Sequence, residues 1–309
     1  MISEKKMEAL IRSSDPDLFY YPLKEGATLN EDYEDVQTIK LFLNHDKRNK
    51  VTSARNTFHV YFIGEMPDKF MELAQKLFKF ISAFFSMQVK VKGHLDVEFT
   101  NRNCIITLPP SKNGYYAKLQ RRKRATGRMA IIPKKTKGVT EINSDDLLCI
   151  LRKYIERDTF TVLGITGYNI YNPYQKDDVI MGFSCGNRCS VVSIVECFDA
   201  RLKNKVKREK IAFFELVKTT AHELSHTMGI DHCVEFHCIM NSQYVKEAET
   251  NPIYFCPICL CKLQAAVGFD CEKRWKDLRT FYMNNTMKKA AEWVDRRLKI
   301  WEKDISKMP

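Results

Sequence analysis

The sequence His-Glu-Leu-Ser-His-Thr-Met-Gly-Ile-Asp-His at residues 222–232 brings together side chains that can bind and use a metal ion. On an α-helix, His222 and His226 differ by only about 40° around the axis and about 6 Å along it, so both imidazoles can reach one ion. Gly229 can adopt the left-handed conformation that ends a helix, which lets the chain return His232 to the same ion. Three protein ligands leave a fourth position for water, as in a catalytic zinc site.

The carboxylate of this segment, Glu223, is not needed for metal binding alone. It lies beside the histidine pair, where helical zinc hydrolases place the group that takes a proton from zinc-bound water. A lone His-x-x-x-His pair on a helix is often a surface feature without a metal. The glutamate, the glycine and the third histidine at fixed offsets instead predict a zinc hydrolase.

A second group of metal donors begins directly after the last histidine. Cys256 and Cys259 have the two-residue spacing with which two thiolates bind one zinc ion. Cys233 and Cys238 could complete a tetrahedral all-cysteine site, which would be closed to substrate and therefore structural. Free thiols that pack as small hydrophobic groups explain one or two of these residues, but not five cysteines in 29 residues when Cys261 is included.

Taken together, these motifs resemble the archaemetzincins, a branch of the metzincin zinc peptidases. The matching pattern is His-Glu-x-x-His-x-x-Gly-x-x-His-Cys, then Cys-x-Met, then Cys-x-x-Cys. It also includes Cys-Pro-Ile-Cys-Leu-Cys-Lys-Leu-Gln from residue 256 and Val-Leu-Gly-Ile-Thr-Gly-Tyr from residue 162. The resemblance covers residues 56 to about 283.

This resemblance implies a role for each motif residue. Glu223 would be the general base, and Met240 would lie beneath the metal as the methionine of the Met-turn. Cys261 offers a fifth thiolate and His237 a further nitrogen, so the donors of the second ion stay open. The implied catalytic zinc ligands are His222, His226 and His232, and the implied structural zinc ligands are Cys233, Cys238, Cys256 and Cys259.

The elements around the motifs predict an α+β fold. Residues 57–63 alternate β-branched and aromatic side chains as a strand does, and Pro67 opens a long helix with one apolar face. Ser144 is expected to cap a helix that runs to Arg157, and a helix over 213–228 is expected to carry the histidine pair. Further strands are expected at 87–98, 160–171, 178–185 and 189–198, and further helices at 262–283 and 287–303.

This order of elements indicates a twisted mixed sheet with helices against it. The resemblance implies the same layout, a metzincin-type peptidase domain with an active-site helix and a zinc-stabilised C-terminal part. In that layout an edge strand can pair with an extended peptide, and residues 179–185 are our candidate. We expect a polar N-terminal extension at 1–55, a catalytic domain at 56–283 and a C-terminal helix at 284–309.

The net charge of +12 is unevenly distributed. Residues 117–138 carry nine lysines or arginines and no acid, which predicts a basic insertion in the catalytic domain. A nuclear import signal or a nucleic-acid contact would account for it. A solvated insertion is the preferred interpretation, because no aromatic residues alternate with the charges as single-strand binding would require.

Composition places the chain among globular proteins. An apolar content of 44% supports a sizeable core, and the first eight residues, Met-Ile-Ser-Glu-Lys-Lys-Met-Glu, contain no hydrophobic leader. We therefore expect a monomeric intracellular protein, in the cytoplasm and with access to the nucleus, whose eleven cysteines are reduced or metal-bound. No apolar segment is long enough for a membrane span.

The predicted chemistry is hydrolysis of a peptide bond with two zinc ions per chain, one catalytic and one structural. Zinc polarises the substrate carbonyl and acidifies its bound water, while Glu223 accepts a proton. Aminopeptidase and limited endopeptidase activity both fit. The alternatives are a zinc-stabilised scaffold with little turnover and a nucleic-acid-associated protein.

Overall fold

The structure is a computed structural model. It describes residues 36–45, 48–100, 103–107, 128–136, 139–174, 179–185, 188–195, 205–234, 236–241 and 252–306. The chain divides into two compact units. The sheet unit comprises residues 52–78 and 87–227, and the helical unit comprises residues 1–51, 79–86 and 228–309. The predicted domain boundaries at residues 55 and 283 stay a prediction.

Eleven strands lie in the described part of the sheet unit. They are β1 (Thr57–Ile63), β2 (Gln88–Phe99), β3 (Cys104–Thr107), β4 (Arg128–Ile131), β5 (Lys134–Thr136), β6 (Val139–Asn143), β7 (Thr159–Thr166), β8 (Asn169–Tyr171), β9 (Val179–Ile180), β10 (Gly182–Cys185) and β11 (Cys189–Ser193). Seven form one sheet in the order β10-β11-β7-β1-β2-β3-β4, and four form a second sheet in the order β5-β6-β8-β9.

The larger sheet is mixed, as predicted. β1 pairs in parallel with β2 and β7, and β7 pairs in parallel with β11, whereas β10 and β11 are antiparallel. Every residue of β1 and β7 is buried, because central parallel strands are covered on both faces. The basic segment contributes β4 and β5, and residues 117–127 and 137–138 of this segment lie outside the described residues.

Two predicted strands are each divided between the two sheets. The segment 160–171 forms β7 in the larger sheet and β8 in the smaller one, and the segment 178–185 forms β10 and β9 in the same way. The candidate edge strand at 179–185 is therefore wrong in length. Its last four residues, β10, pair only with β11 among the described strands and so form an edge of the larger sheet.

Seven α-helices are described. They are α1 (Ile39–Asn44), α2 (Asp68–Phe85), α3 (Ser144–Leu151), α4 (Lys205–His226), α5 (Pro257–Val267), α6 (Cys271–Asn284) and α7 (Lys288–Ser306). None of the helices in the described ranges is long and apolar enough to cross a membrane. In the sheet unit, the β1 residue Phe62 contacts the α2 rings of Phe70 and Phe78, with ring centroids 6.1 and 6.3 Å apart.

The α3 helix differs at both ends from the sequence prediction. Its cap is Asn143, whose side chain accepts the N–H of Asp145 at 2.9 Å, so Ser144 is already the first helical residue. The helix ends at Leu151 and not at Arg157, because a 3₁₀ turn follows it directly. The boundary errors leave the existence of the helix unchanged.

In the helical unit, the predicted helix over 262–283 is two helices. Gly268 ends α5 in the left-handed conformation, with φ of 84°, and its N–H donates to the Gln264 carbonyl. The Asp270 side chain then caps α6 by accepting the N–H of Lys273 at 2.7 Å. A glycine followed closely by a capping aspartate is therefore the stop and restart signal that the helical periodicity concealed.

The core of the helical unit is aromatic. Phe80 and Phe84, from the last turns of α2, contact Phe281 and Phe255 with ring centroids 5.5 and 5.0 Å apart. The Arg274 guanidinium lies over the Phe84 ring at 4.7 Å, which compensates part of the cost of burying it. This core includes Phe255, the residue directly before Cys256 of the Cys-x-x-Cys motif.

Candidate metal centres

The C-terminal end of α4 presents two imidazoles toward one point. The Nε2 atoms of His222 and His226 are 3.0 Å apart, and their ring planes are nearly perpendicular. The helix end is fixed to the sheet, because the hydroxyls of Thr227 and the β7 residue Thr161 share a buried hydrogen bond of 2.9 Å. Helical spacing and this anchor together set the direction of both rings.

The third histidine follows a left-handed turn. Helix α4 ends at His226, and Gly229 has a φ of 85°, a conformation that a side chain would strain. Downstream of this turn, His232 offers a ring nitrogen, and the three nitrogens of His222, His226 and His232 lie within 4.8 Å of one another. The structure thus brings together all three histidines that the motif singled out.

Glu223 packs against the edge strand of the larger sheet. The hydroxyl of Ser184, on β10, donates to Oε2 of Glu223 at 2.9 Å. Burial raises the pKa of Glu223 to about 7, and the hydrogen bond from Ser184 opposes that rise. A Cβ atom on Gly182 would lie 2.6 Å from Cγ of Glu223 and 2.9 Å from Cγ2 of Thr219, so only glycine fits beside this carboxylate.

Sequence analysis missed both Gly182 and Ser184. They lie about 40 residues before Glu223, and the sequence carries no local signal that joins them. Their role follows from the register of β10, which points alternate residues toward the helix. The contact could only be found once the strand had been placed at the edge of the sheet.

Four thiols form a second buried group in the helical unit. The Sγ atoms of Cys233, Cys238, Cys256 and Cys259 all lie within 4.8 Å of one another. Two backbone amides point at sulfur, because Cys256 N–H donates to Cys238 Sγ at 3.3 Å and Cys259 N–H donates to Cys256 Sγ at 3.4 Å. Such N–H···S contacts are expected around bound thiolates.

The loop that carries the first two thiols is held by one asparagine. The Asn241 side chain accepts the N–H of Cys238 at 2.8 Å and donates to the carbonyls of Cys233 and Phe236 at 2.6 and 2.8 Å. In addition, the N–H of Cys233 donates to the carbonyl of Met240 at 2.8 Å. Asn241 was also missed in the sequence, where it has no feature that distinguishes it from a turn residue.

The two alternative donors lie outside the four-thiol group. Cys261 lies on α5, where burial raises its pKa to about 12. The ring of His237 packs edge-on against Tyr254, with centroids 6.3 Å apart. Met240 is fully buried, and its place beneath a catalytic metal stays a prediction.

Both donor sets fit zinc. Four buried thiols at mutual contact distance match a closed tetrahedral site, and Cys233 and Cys256 approach to 3.8 Å between sulfurs. Burial raises the pKa of Cys256 well above the usual range, and hydrogen bonds with Cys233 and Cys238 do the same for Cys259, so a cation is what would hold them as thiolates. The three converging imidazoles match an open zinc site, because three ligands leave a fourth coordination position for water.

In a third cluster of possible metal ligands, both carboxylates already have lysine partners. His59, Glu156 and Asp158 offer ligand atoms within 4.8 Å of one another in the sheet unit. However, Lys92 donates to Glu156 at 2.9 Å and Lys90 approaches Asp158 at 3.4 Å. The cluster is therefore an ion-pair network beside a buried histidine.

Comparison with known proteins gives a family match over the part of the chain that carries both donor sets. The sequence model of peptidase family M54 matches residues 134–265, a range that contains the three histidines and the four clustered cysteines. Human Archaemetzincin-2 is 30% identical over 163 residues, which are 45% of this chain and 45% of that protein. Over these residues the chain is similar to peptidase family M54 and to the archaemetzincins. The resemblance inferred from the motifs is thereby confirmed.

The chain is also similar to the Archaemetzincin-1 proteins. Human Archaemetzincin-1 is 24% identical over 176 residues, which are 48% of this chain and 35% of that protein. The chain thus spans less than half the length of the curated relatives it matches. The crystal structure of archaemetzincin from Methanopyrus kandleri superposes with a TM-score of 0.45 at 18% identity, covering 69% of this chain and 96% of that one.

Proposed function

We propose that this protein is a zinc-dependent metallopeptidase that hydrolyses amide bonds in peptides or proteins. The observation that carries the proposal is the convergence of three imidazoles next to Glu223, at the edge of a sheet. When bound, zinc supplies a Lewis acid that polarises a carbonyl and lowers the pKa of water. His222, His226 and His232 would hold it, and three ligands leave room for a reactant.

Glu223 would move the proton. Its Oε2 accepts from Ser184, which leaves Oε1 to accept a proton from the attacking water and return it to the departing amine. Burial and the Ser184 hydroxyl set the pKa of Glu223, and no lysine or arginine among the described residues contributes to it. Its environment therefore suits proton transfer better than a permanent ion pair.

The substrate would pair with β10. This strand has β11 on one side and no other described strand on its second side, so its backbone N–H and C=O groups can bind an extended peptide. The Ser184 side chain on the same strand holds the general base. Substrate backbone and catalytic carboxylate would thus be aligned by one element.

We also propose that the four thiols hold a second, structural zinc. Cys233 follows His232 directly, so this ion would fix the segment that presents the third imidazole. Two zinc ions per chain are then expected. The protein would act inside the cell, where its thiols stay reduced.

The test combines metal content with an unbiased peptide-library cleavage assay. Glu223→Ala should abolish cleavage and retain zinc, whereas Glu292→Ala, at an exposed position on α7, should change neither. Libraries with free and blocked amino termini separate aminopeptidase from endopeptidase activity. Two zinc ions without cleavage would support a scaffold, and steeply salt-dependent RNA or DNA binding would support a nucleic-acid-associated protein.

A further inference from the structure

One side chain from the N-terminal part of the helical unit contacts the turn that precedes His232. Nε2 of Gln37 donates to the Gly229 carbonyl at 2.9 Å and to Oδ2 of Asp231 at 2.6 Å. Oε1 of Gln37 accepts the N–H of Asp231 at 3.2 Å. The partners are 192 and 194 residues apart in sequence, and Gln37 is only 8% exposed.

The chemistry of this contact requires a glutamine. A primary amide has two N–H donors and one carbonyl acceptor, and here all three functions are used on one turn. Glutamate of the same length lacks the donors and would face the carboxylate of Asp231. Lysine lacks the acceptor. The three bonds therefore fix both the carbonyl of Gly229 and the backbone of Asp231.

The segment around Gln37 is itself anchored within the helical unit. The Thr38 hydroxyl caps α1 by accepting the N–H of Leu41 at 3.1 Å. Val51 N–H donates to the Ala266 carbonyl on α5 at 2.8 Å. Residues on both sides of α1, Thr38 and Val51, thus make hydrogen bonds within the helical unit.

We propose that Gln37 is a positioning residue for the catalytic metal, acting through the turn that directs His232. The proposal depends on the proposed metal site, because the turn has a function only if His232 is a ligand. Gln37 lies outside the range 134–265 that the family model matches. The polar N-terminal extension would then contribute to the active site through residues 36–51.

The experiment measures metal retention separately at the two sites. The whole chain of residues 1–309 is loaded with cobalt(II) and is then titrated with a chelator, because a four-thiolate site and an imidazole site give distinguishable absorption spectra. We expect Gln37→Ala to weaken retention at the histidine site about tenfold, within the range for residues that orient ligands, and to leave the four-thiol site unchanged. Peptidase activity should fall and recover with added zinc.

Rescue distinguishes positioning from general destabilisation. Gln37→Glu should retain metal less well than Gln37→Ala, because its carboxylate faces Asp231. Adding Asp231→Asn should restore part of the retention, since the new amide can donate to the glutamate. Thr38→Ala, which removes only the cap of α1, is the matched control and should leave the histidine site unchanged.

Equal metal loss from both sites in Gln37→Ala, or no change at either site, would overturn the proposal. So would the absence of rescue in the double variant. These readouts do not require catalysis. A wild-type protein that loads cobalt at the histidines but cleaves no peptide would refute the proposed function and leave this inference standing.

Discussion

Gly182→Ala tests whether the edge strand shapes the general base. The new Cβ would lie 2.6 Å from Cγ of Glu223, whereas ordinary carbon contacts are about 3.5 Å or longer. The carboxylate or the strand must therefore shift by about 1 Å. A displacement of that size at a catalytic group can lower the rate about 100-fold, and overpacking typically costs about 1–3 kcal/mol of stability.

The assay is kcat/KM on a cleavable library peptide, together with zinc content and urea unfolding. We expect kcat to fall about 100-fold while both zinc ions are retained. Gly93→Ala is the matched control, because its Cβ would meet the Tyr61 ring at an ordinary 3.8 Å. Ser184→Ala, which keeps the space but loses the hydrogen bond, should cost less than Gly182→Ala. Full activity in Gly182→Ala would refute the reasoning.

Three further results are expected. Asn241→Ala removes three hydrogen bonds from the thiol loop, so it should lower the unfolding free energy by about 1–3 kcal/mol and release zinc from the four-thiol site, as metal analysis would show. Met240→Leu conserves volume in a buried position, so it should cost under about 1.5 kcal/mol and reduce activity less than loss of any histidine, compared by kcat/KM. Burial lowers the pKa of His59 in the folded protein below its unfolded value of about 6.5. The free energy of unfolding should therefore be highest above about pH 6.5 and decrease as the pH falls below this value, because the unfolded chain then binds a proton that the folded protein does not. Urea unfolding at several pH values should show this slope in the wild type and a shallower one in His59→Leu.

The local part of the site could be predicted because its geometry is encoded in consecutive residues. His222 and His226 are four residues apart, so any helix places them on one face, and Gly229 marks the turn that follows. The strands β1 and β7 were also predictable, since buried parallel strands leave an apolar and β-branched sequence.

The supporting contacts could not be predicted, because they join distant parts of the chain. Gln37 meets Asp231 across 194 residues, and Ser184 meets Glu223 across 39. An amide or a hydroxyl in such a position has no local pattern. The division of residues 160–171 between two sheets has the same origin, since periodicity shows that a segment is extended but not which partner it pairs with.

The most direct test of the central claim is zinc content measured beside peptide cleavage in the wild type and in His226→Ala. The proposed site predicts two zinc ions and cleavage in the wild type, and one zinc ion and no cleavage in the variant. A wild-type protein without zinc, or a variant that keeps both ions and its activity, would contradict it.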